Sequence, residues 1–178
     1  QRIERLITDY SQILKDEVAL SKEKFKRIDI VPIILSVVDD YNNIYNAKSG
    51  IRIFCKNDGD KNYIIYGIEN RIEQIAANLL DNAISFSNDN QNIEVKITKN
   101  FKKQVVVNII DEGPGFKERD TSKIFKRFYS NRPDKFGQHS GLGLNIVKNL
   151  VELHNATITA SNRLDKSGAN LEIIFPKS

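Results

Sequence analysis

Two glycine clusters and one stripe of side-chain amides hold the residues of this chain that could do chemistry. The first cluster, Asp111-Glu-Gly-Pro-Gly115, directly follows an apolar run at 105–110. The second, Gly141-Leu-Gly143, directly precedes an amphipathic segment. Glycines placed just before a helix expose backbone N–H groups at its positive end, which attracts anions and phosphates above all. Gln74, Asn78 and Asn82 are spaced by four, so they line one side of a further helical segment. Neutral amide oxygens can coordinate Mg²⁺ beside phosphate oxygens. The spacing alone proves little: 19 asparagines also give Asn-x-x-x-Asn pairs at 42/46, 88/92 and 145/149, and what lifts the pair 78/82 is its place in a strongly amphipathic helix. No Gly-x-x-x-x-Gly-Lys-Ser/Thr and no dinucleotide fingerprint occurs. Five of the nine glycines and two of the four prolines fall between residues 113 and 143. Irregular stretches of that length in compact domains are usually functional or disordered.

The elements around these residues follow from periodicity. Apolar side chains at Ile3, Leu6, Ile7, Tyr10, Ile13, Leu14 and Val18 have helical spacing, and the pattern reads as the end of a longer bundle helix, with a domain boundary at 21–25. A short strand is expected at 27–31, then a helix with Pro32 in its first turn and Ile33, Val37, Val38, Tyr41 and Ile44 on one face. Residues 51–56 and 63–66 read as strands around an Asn57-Asp58-Gly59-Asp60 turn. The amide-bearing helix is expected from an Asn70 N-cap to Phe86. Strands follow at 93–98 and 104–110, a short amphipathic piece at 121–129, a helix at 142–154, and strands at 156–161 and 169–175. This order predicts an α/β two-layer sandwich, a mixed sheet of about five strands covered by three helices and preceded by one helix.

Composition narrows the class. The chain has 178 residues, 28% charged and 40% hydrophobic, as in a globular protein. The single cysteine, Cys55, excludes an internal disulfide and a cysteine-based metal site, which suits a reducing compartment. No apolar run approaches the roughly 18 residues of a membrane span. The chain starts at Gln1 and has no methionine, which reads as a piece of a longer protein. The net charge of +4 equals the excess of the window 117–135, with seven basic residues (117, 119, 123, 126, 127, 132, 135) against three acidic ones (118, 120, 134). The rest balances, which argues against a nucleic-acid surface.

In order and spacing, Asn78-Leu-Leu-Asp-Asn82-Ala, Asp111-x-Gly113-x-Gly115, Ile124-Phe125-Lys-Arg-Phe128-Tyr129 and Gly141-Leu-Gly143-Leu144 resemble the N, G1, F and G2 boxes of sensor histidine kinases. The resemblance covers residues 26–178 as the catalytic ATP-binding domain of the GHKL type. Residues 1–25 then correspond to the C-terminal end of the dimerisation-domain helix. The wording Ala83-Ile-Ser-Phe-Ser87 and Phe136-Gly-Gln-His-Ser-Gly-Leu-Gly-Leu144 is most similar to ChvG-type kinases.

The resemblance implies ATP and Mg²⁺ as ligands. Asp111 would meet adenine: a carboxylate only accepts hydrogen bonds, and adenine offers an amine where guanine offers a carbonyl. Gly113 and Gly115 would let backbone approach the base. Asn78 and Asn82 would hold Mg²⁺ and through it the triphosphate. The lid would run from about 129 to 141, with Phe125 and Phe128 as its hinges on the core. Ser140, Gly141, Leu142, Gly143 and Leu144 would wrap the phosphates. Ser85, Ser130 and His139 depart from the usual pattern, which leaves Arg132, Lys135 or Arg127 to neutralise the triphosphate. Related ATPases carry a glutamate as water-activating base where this chain has Gln74, and Glu73 points about 100° away around the helix. An amide there favours phosphoryl transfer over hydrolysis. Neither His139 nor His154 has the surroundings of a phosphoacceptor, and His154 reads as a capping or packing residue. The implied partners are a histidine-bearing dimerisation domain of the same parent, a homodimeric parent and a response regulator. The implied location is the cytoplasmic side of an inner-membrane protein. A stand-alone ATPase and a degenerate nucleotide-binding module are the alternatives.

Overall fold

A computed structural model describes residues 24–60, 62–117, 121–126 and 143–178. The helix expected before residue 24 lies outside the described residues, as do Arg127, Phe128, Arg132, Lys135, Ser140, Gly141, Leu142 and the expected lid. The elements are β1 (Lys26–Asp29), α1 (Ile30–Ser49), β2 (Arg52–Asn57), β3 (Ile64–Gly67), α2 (Glu69–Ser85), β4 (Asn92–Lys99), β5 (Val105–Ile110), a 3₁₀ turn (Ser122–Phe125), α3 (Gly143–Leu153), β6 (Thr157–Asn162) and β7 (Ala169–Ile174).

Five strands form one mixed sheet in the order β2-β4-β5-β7-β6, and β1 pairs with β3 in a separate two-stranded ribbon. Only β2 and β4 run parallel; the other neighbours in the sheet are antiparallel. Alternation along β4 and β7 buries Ile93, Val95, Ile97, Leu171 and Ile173 in one core with Ile34 and Val38 of α1, Leu79 and Leu80 of α2, and Val147 and Leu150 of α3. The opposite face is polar, and there Asn108 donates to Asn170 at 3.0 Å and to Glu172 at 3.1 Å. The two-layer architecture agrees with the sequence expectation.

Three local expectations need correction. The helix α1 begins at Ile30, because the Asp29 carboxylate accepts the Val31 N–H at 3.1 Å and caps it. Ile30 and Val31 are therefore helical, and Pro32 still falls in the first turn, where its missing N–H is harmless. The segments β2 and β3 are not hairpin partners. Asp58 of the intervening turn instead accepts the Lys99 N–H at 3.0 Å and the Tyr63 hydroxyl, which ties the turn to the end of β4. This leaves β2 to pair in parallel with β4 across α2. Finally, α2 is capped at Ile68 rather than Asn70, and an isoleucine has no side-chain group to offer.

Candidate functional site

Asp111 follows β5 and is 2% exposed. A carboxylate buried so deeply must be hydrogen-bonded. Its Oδ1 accepts the N–H of Gly113 at 3.0 Å and the N–H of Ala169 at 3.1 Å. Its own N–H donates to the Ala169 carbonyl at 3.0 Å. The sequence reading missed this second partner. The turn between β6 and β7 clamps the Asp111 loop along its length: the Arg163 guanidinium donates to the Asp111 carbonyl at 3.2 Å, Ser167 Oγ donates to the Gly113 carbonyl at 2.6 Å, and Lys166 pairs with Glu112. The Lys166 ammonium and the Asn92 N–H hold the Glu112 carboxyl below the usual range. Gly168 explains why the turn can come so close. Its φ is +146°, and a Cβ there would sit 2.0 Å from the Asp111 carbonyl oxygen. The one available signal was Ser167-Gly168 ahead of the final strand.

Gly115 has a role of its own within the protein. It adopts φ +76°, and an added Cβ would meet Asn162 Oδ1 at 2.5 Å. Asn162 in turn accepts the Phe116 N–H at 2.6 Å and donates to the Phe116 carbonyl at 3.0 Å. The demand for glycine at 115 thus comes from the left-handed backbone and the Asn162 contact. Gly143 differs: a Cβ there would meet no described atom within 4 Å.

The amide stripe on α2 splits in two. Asn82 is 6% exposed, and its Nδ2 has no hydrogen-bond partner among the described residues. Asn78 is half-buried, and Gln74 accepts from Arg71 Nη1 at 3.1 Å. Ser85 turns its hydroxyl back to the Asn82 carbonyl at 2.7 Å. The stripe is therefore not a solvated face at Asn82. The helix α2 packs on α1, on the strand β5 that leads to Asp111 and on the helix α3 that begins at Gly143.

Phe125 and Leu144 both meet the core. Phe125 is 6% exposed within the core, Leu144 packs against that core, and Asn145 donates to the Phe125 carbonyl at 3.1 Å, tying the 3₁₀ turn to α3. His154 follows α3, is 3% exposed and serves as a packing and capping residue. Its Nδ1 lies 2.7 Å from the Leu150 carbonyl, and its Nε2 accepts the Ile68 N–H at 3.2 Å. Only the neutral ring protonated on Nδ1 satisfies both contacts, and burial pushes its pKa down. Among the described residues no group of His, Cys, Asp and Glu could hold a metal ion, and no helix is long and apolar enough to cross a membrane.

Comparison with known proteins agrees with this geometry. The family model for histidine kinase-, DNA gyrase B-, and HSP90-like ATPases matches residues 67–178. The chain is 34% identical over 175 residues to sensor protein ChvG of Rhizobium meliloti (strain 1021), covering 94% of this chain and 30% of that protein. It is also 34% identical to ChvG of Agrobacterium fabrum (strain C58), covering 99% and 31%. The chain thus spans less than a third of these relatives. The catalytic domain of histidine kinase ThkA superposes with a TM-score of 0.74 at 25% identity, over 87% of this chain and 97% of that one. ThkA has also been solved in complex with a response regulator protein, TrrA. The chain therefore belongs to the histidine kinase-, DNA gyrase B- and HSP90-like ATPase family, as an ATP-binding domain of the sensor-kinase kind.

Proposed function

We propose that this chain is the catalytic domain of a two-component sensor histidine kinase and moves the γ-phosphoryl group of ATP to a histidine on a helical domain. The observation that carries this reading is the Asp111 carboxylate, buried and fixed by two backbone N–H groups. An acceptor-only group held rigidly in a dry site selects the exocyclic amine of adenine and rejects the carbonyl of guanine. The buried Asn82 amide, whose Nδ2 has no partner among the described residues, suits a ligand rich in oxygen acceptors. Asn78 and Asn82 would hold Mg²⁺, which when bound supplies charge neutralisation between phosphate oxygens. Gly141, Leu142, Gly143 and Leu144, with Ser140, would cradle the phosphates at the start of α3. Arg132, Lys135 or Arg127 would neutralise the remaining charge.

Gln74 supports transfer over hydrolysis. Its Oε1 accepts from Arg71, and an amide cannot take a proton from water. The phosphoacceptor would lie on that helical domain: His154 is sealed in the core, and His139 falls within the proposed lid. Residues 1–25 would belong to the dimerisation domain, 26–178 to the catalytic domain and 129–141 to its lid. The parent would be a homodimeric membrane protein with this domain on the cytoplasmic side, and a response regulator would be the next acceptor, a reading supported by the solved complex of ThkA with a response regulator.

Calorimetry with Mg-ATP and Mg-GTP tests the reading, followed by incubation with a separately produced histidine-bearing helical domain. ATP binding with little GTP binding, and phosphoryl transfer only when the helical domain is added, is the expected result. No ATP binding at millimolar concentration, or equal GTP binding, would sink it. Steady phosphate release by the chain alone would mark a stand-alone ATPase instead.

A further inference from the structure

We infer that His154 is a positioning residue for the nucleotide site, keying the start of α2 to the end of α3, and that Phe25 seats it. The inference rests on the reading above, in which α2 and α3 each carry part of that site. A helix needs partners for its first N–H groups, and the residue preceding it usually supplies a side-chain acceptor. Ile68 supplies none. Its carbonyl accepts the N–H groups of Arg71 and Ile72, starting α2, while its own N–H is taken up by His154 Nε2 from 86 residues away. The other ring nitrogen donates to the Leu150 carbonyl of α3. One bond therefore crosses from α2 to the ring and the other locks the ring to its own helix, so the contact between the helices has a direction that apolar packing alone does not give.

The surroundings fit this ring closely. A Cβ on Gly67 would come within 2.9 Å of His154 Cδ2 and 3.1 Å of Nε2, so the glycine makes room for the imidazole. Phe25 meets the ring edge-on with centroids 5.4 Å apart and stacks on Tyr66 at 5.6 Å. Phe175 approaches from the β7 side at 6.4 Å. Phe25 immediately precedes β1, at the point where the chain enters the sandwich.

Asp111 reaches its position through β5 and β7, independently of this ring. Displacing α2 against α3 should therefore weaken triphosphate binding and leave the base site alone. The test compares the 178-residue chain with His154→Phe, His154→Gln and Phe25→Ala. Each would be titrated with Mg-ATP by calorimetry and with adenosine by NMR, at a temperature where circular dichroism shows it folded. His154→Phe should raise the Mg-ATP dissociation constant about five-fold or more, the effect of one lost buried hydrogen bond. Adenosine affinity should stay within about two-fold. His154→Gln, whose Oε1 can accept the Ile68 N–H, should recover part of the loss. Phe25→Ala removes only a half-buried ring, so it keeps the test open if His154→Phe does not fold, and it should move Mg-ATP affinity in the same direction. Unchanged Mg-ATP affinity in the folded variants, or an equal loss for adenosine, would overturn the inference. Failure of the unsubstituted chain to bind Mg-ATP would overturn the nucleotide-site reading itself, before any variant is compared.

Discussion

At Asp111 one side chain combines two jobs, since the oxygen that anchors the loop belongs to the group proposed to read the base. Asp111→Asn keeps the shape but makes half of the group a donor. It should weaken ATP binding about ten-fold and erase the preference over GTP, measured by calorimetry with both nucleotides. Gly168→Ala tests the clamp from the other side. A methyl group 2.0 Å from the Asp111 carbonyl oxygen, at φ +146°, forces the turn off the loop. Thermal unfolding should show a loss of at least about 2 kcal/mol. Asp111 was legible in the sequence only through the four boxes taken in order, since a carboxylate after an apolar run and before Gly-Pro-Gly alone reads as a turn. Gly168 was not, because its partner lies 57 positions away on a different strand. Asn82 was legible as an amide on an amphipathic helix, but only the packing shows it buried and Asn78 half-buried.

Among the elements, the sandwich order could be read from periodicity, whereas strand pairing could not. The segments β2 and β3 have the composition of hairpin partners, but Asp58 binds the end of β4 and the two strands join different sheets. The start of α2 was misplaced for a similar reason, as its cap comes from a histidine distant in sequence. That histidine gives a pH signature. Burial lowers the pKa of His154 in the folded state, so the folded protein resists a proton that the unfolded chain accepts near pH 6.5. Its contribution to stability is complete above the unfolded value and declines as pH falls through about 6.5 toward the folded one. Urea unfolding at pH 7.5 and 5.5 should show lower stability at the acid value, and the difference should shrink in His154→Gln. The pair between Lys166 and Glu112 acts at lower pH. Its stabilisation is present above the ordinary glutamate range and is lost as the Glu112 carboxyl takes up a proton.

For the whole molecule, ligand linkage gives a direct check. Mg-ATP at one hundred times its dissociation constant should stabilise the chain by about 2.7 kcal/mol, read as a shift in the unfolding midpoint. GTP at the same concentration should shift it far less. With His154 buried, Mg-ATP alone should leave no phosphohistidine on this residue, which mass spectrometry under alkaline conditions can check. The clamp on Asp111 has a further consequence for how the protein is made. Ala169 and Gly168 are synthesised after Asp111, α2 and α3, and a domain folds as a unit once its chain has emerged from the ribosome. Until residues 168 and 169 have emerged, Asp111 has no Ala169 to clamp it. Nucleotide competence should therefore switch on late, as the closing β6–β7 hairpin docks, so that a nascent kinase domain cannot capture ATP before its sheet is complete.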